Sequence, residues 1–155
     1  MFRWLKSLFK PPEPAGPPRS LRTFTPADQT ISQDNVKPAE GGWLIEAKAK
    51  ATVRLFEVPL EGVDNCMLTY RARMKTAGLT GPTYLEMWCR MPGRGEFFSK
   101  GLRQAVTGTT DWASYETPFF LKKGQVPDLI KLNLALEGAG QVYIKDVELL
   151  MTPLA

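Results

Sequence analysis

The stretch TYLEMWCRM, residues 83–91, decides the fold. Leu85, Met87, Cys89 and Met91 alternate there with Tyr84, Glu86, Trp88 and Arg90. A period of two places one set on each side of an extended strand, and no helix separates them that way. The pattern recurs on both sides. In MLTYRARMKT (67–76), Leu68, Tyr70, Ala72 and Met74 alternate with Thr69, Arg71, Arg73 and Lys75. In LIKLNLALE (129–137), Ile130, Leu132, Leu134 and Leu136 alternate with Lys131, Asn133, Ala135 and Glu137. Further strands are expected near 43–47, 51–58, 96–102, 114–120 and 141–149. Pro59, Gly62, Gly78 to Gly81, Pro92 to Gly95, Gly108, Gly124 and Gly138 to Gly140 punctuate them. No stretch beyond residue 22 holds a helical period. About seven or eight short strands at this spacing predict an all-β, two-sheet antiparallel sandwich or jelly roll.

Upstream the composition changes. Five of 13 prolines fall in PPEPAGPP (11–18), and 12 of 13 glycines lie at Gly41 or later. Proline-dense chain lacks backbone donors and favours extended polyproline II geometry. Residues 11–28 therefore read as a Pro-rich linker and 29–155 as the β-sandwich domain. In MFRWLKSLFK (1–10), Phe2, Leu5, Leu8 and Phe9 fall at helical spacing, with Trp4 at the edge of that face and Arg3, Lys6 and Lys10 on the rest. This predicts a short basic amphipathic helix suited to a membrane interface or a partner's groove. A frayed tail is the alternative for an isolated helix so short. Arg3 and Lys6 interrupt the apolar run that a secretory signal needs, and no run reaches the ~18–20 residues of a transmembrane helix. The expected location is cytoplasmic and peripheral at the membrane.

Lysine and arginine number 20 against 16 acidic residues, a net charge of +4. Arg3, Lys6, Lys10, Arg19 and Arg22, against Glu13 alone, hold all of that excess before residue 23. The remaining body is charge-balanced and has no basic stripe, which argues against nucleic acid as a partner. There is no histidine. That excludes Ser-His-Asp and Cys-His catalysis and every His-containing metal site. Cys66 and Cys89 share parity with core positions and read as buried free thiols, and the absence of CxxC removes redox and zinc motifs. Glu86, Glu96, Glu116 and Glu137 are the carboxylates a glycosidase pair would draw on. Nothing in their spacing brings two together, so the chain reads as non-enzymatic.

Two C-terminal segments carry a resemblance. GTTDW (108–112), followed by a strand ending TPFFLKKGQ, resembles the "GTTDWT.Y..PF" turn of carbohydrate-binding-module-like, or galactose-binding-like, jelly rolls. EGAGQVYIKDVELL (137–150) is similar to their final "G.GTVWFDDVSL" strand. The resemblance implies a two-sheet antiparallel sandwich over roughly residues 43–150 and speaks to fold more than to activity. Asp111 is expected to accept backbone amides in a turn, with Trp112 capping the core behind it. Gly138 and Gly140 suit a tight connection at positive φ. In many relatives an Asp near the last strand holds a structural Ca²⁺. Asp146 matches it, but Lys145 replaces the acidic residue beside it, which removes a ligand from an ion that takes about six to eight oxygens. No other cofactor is implied.

Sugar-binding relatives use loops at one end of the sandwich or the concave sheet face, and both need aromatic platforms flanked by hydrogen-bonding groups. On the outward face, Tyr84, Glu86, Trp88 and Arg90 are expected to line up with Arg71 and Arg73, and to share a sheet with Lys131, Asn133 and Glu137. Trp88 and Tyr84 can stack on a sugar while the polar groups bind hydroxyls. A solvated network of cross-strand pairs, or a protein interface, has the same composition. Phe97 and Phe98 are adjacent and face opposite ways, so one is exposed unless something covers it. The leading expectation is a non-enzymatic β-sandwich binding or scaffolding module, an accessory subunit attached through its arm to a membrane surface or a membrane-associated protein complex. The alternative is a carbohydrate-binding module that uses the aromatic and charged sheet face.

Overall fold

Among the described residues the chain forms nine strands. They are β1 (Arg19–Phe24), β2 (Val36–Ala39), β3 (Gly42–Ala47), β4 (Ala51–Pro59), β5 (Cys66–Met91), β6 (Gly95–Lys100), β7 (Val106–Leu121), β8 (Leu129–Leu136) and β9 (Gly140–Pro153). A 3₁₀ turn, Leu102–Gln104, joins β6 to β7. The computed structural model describes residues 12–155. The expected amphipathic helix, with Phe2, Arg3, Trp4, Leu5, Lys6, Leu8, Phe9 and Lys10, lies outside the described residues. Within them there is no α-helix, and no helix is long and apolar enough to cross a membrane.

The two segments read as separate strands at 67–76 and 83–91 form one strand of 26 residues. Gly78 to Gly81 bend it without breaking it, and its register against β7 slips repeatedly between Met74 and Thr83. Up to Ala77, β5 pairs with β9, and in irregular register as far as Thr83 with β7; from Thr83 to Arg90 it pairs with β8, and from Glu86 to Met91 with β6. One antiparallel sheet thus curls into two layers, with β5 passing from one to the other at a corner. One layer holds β2, β3, β9, β7 and the first half of β5, with β1 beside β9. The other runs β6, second half of β5, β8, β4.

Between the layers sits the apolar set of the alternation. Leu68, Tyr70, Ala72 and Met74 face Leu85, Met87, Cys89, Ile130, Leu132 and Leu134, all at most 1% exposed. Each fully buried Leu, Ile or Met contributes about 1.5–3 kcal/mol by leaving water. Cys66 and Cys89 are buried free thiols, and burial pushes them up to about 11 and about 12.

β1 falls inside the stretch whose composition reads as linker. It pairs with β9 from Met151 to Val147. Its Phe24 stacks on Phe56 with centroids 3.9 Å apart, and Trp43 meets Phe56 edge-on at 5.3 Å. Upstream, Pro14 bridges Leu154, Ala15 N donates to Pro153 O, and Ala155 N donates to Glu13 O. The arm therefore leaves the sandwich beside its C-terminal residues.

Two turn expectations need correction. Asp111 Oδ1 does accept the Trp112 amide at 2.7 Å, but β7 runs unbroken through 108–112. Trp112 consequently points outward, half-buried, with Lys145 Nζ and Lys75 Nζ lying 4.2 and 5.4 Å from its ring centre. Gly140 does stand at positive φ, +140, but Gly138 is required by a close approach instead: a Cβ there would meet Thr80 Oγ1 at 2.5 Å and Gly81 N at 2.8 Å.

Candidate functional site

Register builds the outer face of the β6–β5–β8–β4 layer. Lys100, Glu86, Asn133 and Arg54 stand in one row across it, and Phe98, Trp88, Lys131 and Glu57 in the next. The β5–β6 turn sets this register. Pro92 and Gly93 occupy its central positions, Gly93 has φ +74, and Arg94 N closes it on Met91 O at 2.9 Å. These are the residue types a type II turn demands.

Glu86 and Asn133 form the floor, only 6% and 7% exposed. Asn133 Nδ2 donates to Glu86 Oε2 at 3.1 Å, and Lys100 Nζ lies 3.9 Å from Glu86 Oε1. A carboxylate so enclosed needs such partners. Trp88 is half-buried, and Phe98, 55% exposed, sits 5.2 Å from it with the ring planes 53° apart. Lys131 pairs with Glu96 at 2.5 Å and Arg54 with Glu57 at 3.0 Å. The result is a shallow pocket of about 360 Å³ lined by Thr52, Arg54, Glu86, Trp88, Glu96, Lys131 and Asn133. Each cation on this face has a carboxylate partner. An aromatic platform beside fixed donors and acceptors, with little net charge, suits a neutral polyhydroxylated ligand.

The structure redistributes several expected site residues. Tyr84 is only 5% exposed, so its ring offers no platform, and Phe98 takes that place beside Trp88. The Tyr84 hydroxyl instead donates to Glu137 Oε1 at 2.7 Å, and Glu137 also pairs with Lys50 at 3.0 Å. Burial first, then this hydrogen bond, pushes the phenol up to about 12. In turn the Tyr84 hydroxyl and Lys50 hold the Glu137 carboxyl below its ordinary value. Arg90 sits at the rim, fixed by Asp128 through Nε at 2.8 Å and a terminal nitrogen at 3.2 Å. Arg71 and Arg73 do not join this face. They belong to the first half of β5 and lie on the outer side of the other layer. There Arg71 pairs with Glu148 at 2.6 Å, and Arg73 stands opposite Lys145 and Ser114. Trp112, on the same side, is no open platform because lysine ammonium groups approach its ring.

A larger depression of about 740 Å³ lies at the loop end, between residues 34–37 and 46–51. Lysines and alanines line it without an aromatic residue, so it lacks a stacking surface. Asp146 is exposed at φ +52, and among the described residues no three Cys, Asp or Glu groups come together as metal ligands. Among the described residues no carboxylate cluster forms around Asp146 to supply the charge that such a Ca²⁺ site draws on.

No protein-family model matches the chain, and no curated protein matches it. Solved structures do. A xylan-binding domain of carbohydrate-binding-module family 22 from Paenibacillus barcinonensis is 12% identical, with a TM-score of 0.58 over 91% of this chain and 99% of that one. A family 4 carbohydrate-binding module is 15% identical, with a TM-score of 0.53 over 82% and 76%. A C-terminal family 22 module from Clostridium thermocellum, described for ligand binding in its cleft, is 9% identical, with a TM-score of 0.50 over 85% and 83%. The chain shares the jelly-roll β-sandwich fold of carbohydrate-binding modules.

Proposed function

We propose that this chain is a non-enzymatic carbohydrate-binding module whose ligand, a neutral glycan chain, lies across the outer face of the β6–β5–β8–β4 layer. The observation that carries the reading is the Trp88–Phe98 pair beside the fixed Glu86–Asn133 pair in a charge-compensated pocket. The two rings stack on the apolar faces of neighbouring sugars, and Glu86, Asn133, Lys131 and Arg54 exchange hydrogen bonds with hydroxyls. The structural neighbours support this reading over the membrane-scaffold one, and the xylan-binding neighbour makes xylo-oligosaccharides the natural first probe. Calorimetric titration of the chain with neutral xylo- and gluco-oligosaccharides tests it. Binding should weaken about tenfold or more in Trp88→Ala, the loss typical of an aromatic anchor. Absence of binding to every neutral oligosaccharide, or a Trp88→Ala variant that binds like the wild type, refutes it.

A role for the arm is favoured by the pole it leaves from. Leu154 N donates to Asn65 O and Asn65 N to Lys122 O, so the exit lies beside the 122–126 loop. Exposed Arg94, Lys122 and Lys123 flank that loop and make no ion pair among the described residues. Together with the basic residues 1–10 this pole suits an anionic membrane surface.

A further inference from the structure

Most edges of the curled sheet are blunted. Ile31 N and Ser32 N donate to Leu55 O and Arg54 O, which covers the free side of β4. Gln104 Oε1 accepts from Glu116 N on β7, and β2 carries Pro38. β6 has no such protection. Its only strand partner among the described residues is β5, it contains no proline, and its Phe97 and Phe98 are 44% and 55% exposed. Leu102, just beyond it, is 60% exposed. An uncovered edge with exposed aromatics is a template for another strand.

The free groups on this edge can be identified. Gly101 N donates to Leu85 O, which makes the 85–101 pair hydrogen-bonded, and antiparallel pairing alternates. Phe97 and Ser99 therefore direct their backbone groups to β5, whereas Glu96, Phe98 and Lys100 direct theirs outward. The side chains of the outward set lie on the proposed glycan face, with Glu96 on Lys131, Phe98 beside Trp88 and Lys100 near Glu86. The order Glu96, Phe98, Lys100 is self-complementary. Turned about an axis through Phe98, the strand presents its Lys100 where Glu96 stood.

We propose that β6 is a dimerisation edge, on which two copies of this chain pair their β6 strands antiparallel about a two-fold axis at Phe98, with Glu96 of each copy opposite Lys100 of the other. The interface is isologous, as a two-fold contact must be. Charges then alternate across it from Lys131 and Glu96 of one copy to Lys100 and Glu86 of the second. The two outer faces join into one sheet surface with both Trp88–Phe98 pairs at its centre. On the glycan reading, from which only this consequence follows, the pair of faces takes a longer chain than one copy does.

Multi-angle light scattering and sedimentation velocity on the full chain without sugar test the proposal. The wild type should run at twice its 17.3 kDa mass. Glu96→Lys alone sets two lysines against each other at both ends of the paired strands. Lys100→Glu alone sets two glutamates against each other at the same places. Each variant should therefore run at the single-chain mass. An equimolar mixture of the two restores an opposite-sign environment, because the all-lysine strand of one meets the all-glutamate strand of the other, and it should recover the doubled mass. A wild-type-like far-ultraviolet circular dichroism spectrum and a cooperative melt, at a midpoint lowered by loss of the Glu96–Lys131 or Lys100–Glu86 pair, show that each variant is folded at the temperature of the mass measurement. A wild type that stays monomeric up to millimolar concentration, a dimer indifferent to either charge reversal, or a mixture that stays monomeric overturns it. A strand from a different protein as the true occupant gives the first of these results. No sugar is present, so the outcome is separate from that of the glycan titration.

Discussion

Replacing Asn133 with leucine removes the amide that holds the Glu86 carboxylate at 3.1 Å while nearly preserving volume. Glu86 is 6% exposed and would keep only Lys100, at 3.9 Å, as a charged partner. Hydrogen bonds to charged groups contribute about 1.5–3 kcal/mol. The remaining lysine places the expected loss near the lower end, about 1.5 kcal/mol. For a chain of this size that lowers the thermal midpoint by about 3–6 °C. Glu86→Leu alone should also destabilise, since it leaves the Asn133 amide facing a hydrocarbon. The double variant Glu86→Leu, Asn133→Leu should return to within about 1 kcal/mol of the wild type, because removing both partners leaves nothing unsatisfied. Urea denaturation at neutral pH of the four proteins reads the coupling directly. The double variant also separates stability from binding: it should be well folded and lose affinity for the oligosaccharide. Additive single effects, or an Asn133→Leu variant within about 0.5 kcal/mol of the wild type, would refute the claim that these two side chains form a satisfied buried pair.

A Cβ on Gly42 would collide with the Ile144 carbonyl oxygen of β9 and lie 2.6 Å from Lys145 Cβ. Because β9 is held on its other side by β5, Gly42→Ala should cost about 1–3 kcal/mol in chemical denaturation, and a neutral effect would show that β3 docks elsewhere. Tyr84 has its folded value raised to about 12, so the stability it contributes is present below its unfolded value near 10 and lost as pH rises toward 12. Ultraviolet titration should show a phenol ionising near 12 that disappears in Tyr84→Phe, whereas a full complement of ordinary tyrosines would contradict the Glu137 contact. Deleting residues 1–10 should leave the thermal midpoint unchanged and abolish co-sedimentation with anionic vesicles, and undiminished sedimentation would reject the arm as an anchor.

Alternation in β5, β8 and β9 makes the core legible in the sequence, because a half-buried strand writes its two faces at consecutive positions. It also places Glu86, Trp88, Lys131 and Asn133 on a common outward side, where neighbouring register brings them together. Parity is silent about layers. Arg71 and Trp88 lie on segments read as neighbouring strands with matching parity, but the chain between them bends near Gly78 to Gly81 and crosses the sandwich, so parity alone misplaces both Arg71 and Arg73. Parity is equally silent about depth. Tyr84 points outward yet is enclosed, because Glu137 and Lys50 close over its hydroxyl end. β1 is hidden by the prolines before it and by the scarcity of apolar residues in RSLRTF, whose strand character comes from the β9 edge beside it. The part of Phe98 depends on how β6 registers on β5. The Pro92–Gly93 turn holds that signal, and the position opposite Trp88 can be counted from it.

Trp88 is the platform of the proposed glycan face, whereas Trp112 is closed by lysines. The chain has four tryptophans, each with its own indole N–H resonance. Titrating a neutral oligosaccharide into isotope-labelled protein should shift the Trp88 indole, together with the Asn133 side-chain amide, and leave Trp112 in place. A titration that moves Trp112 and spares Trp88, or that moves neither up to millimolar sugar, contradicts this assignment.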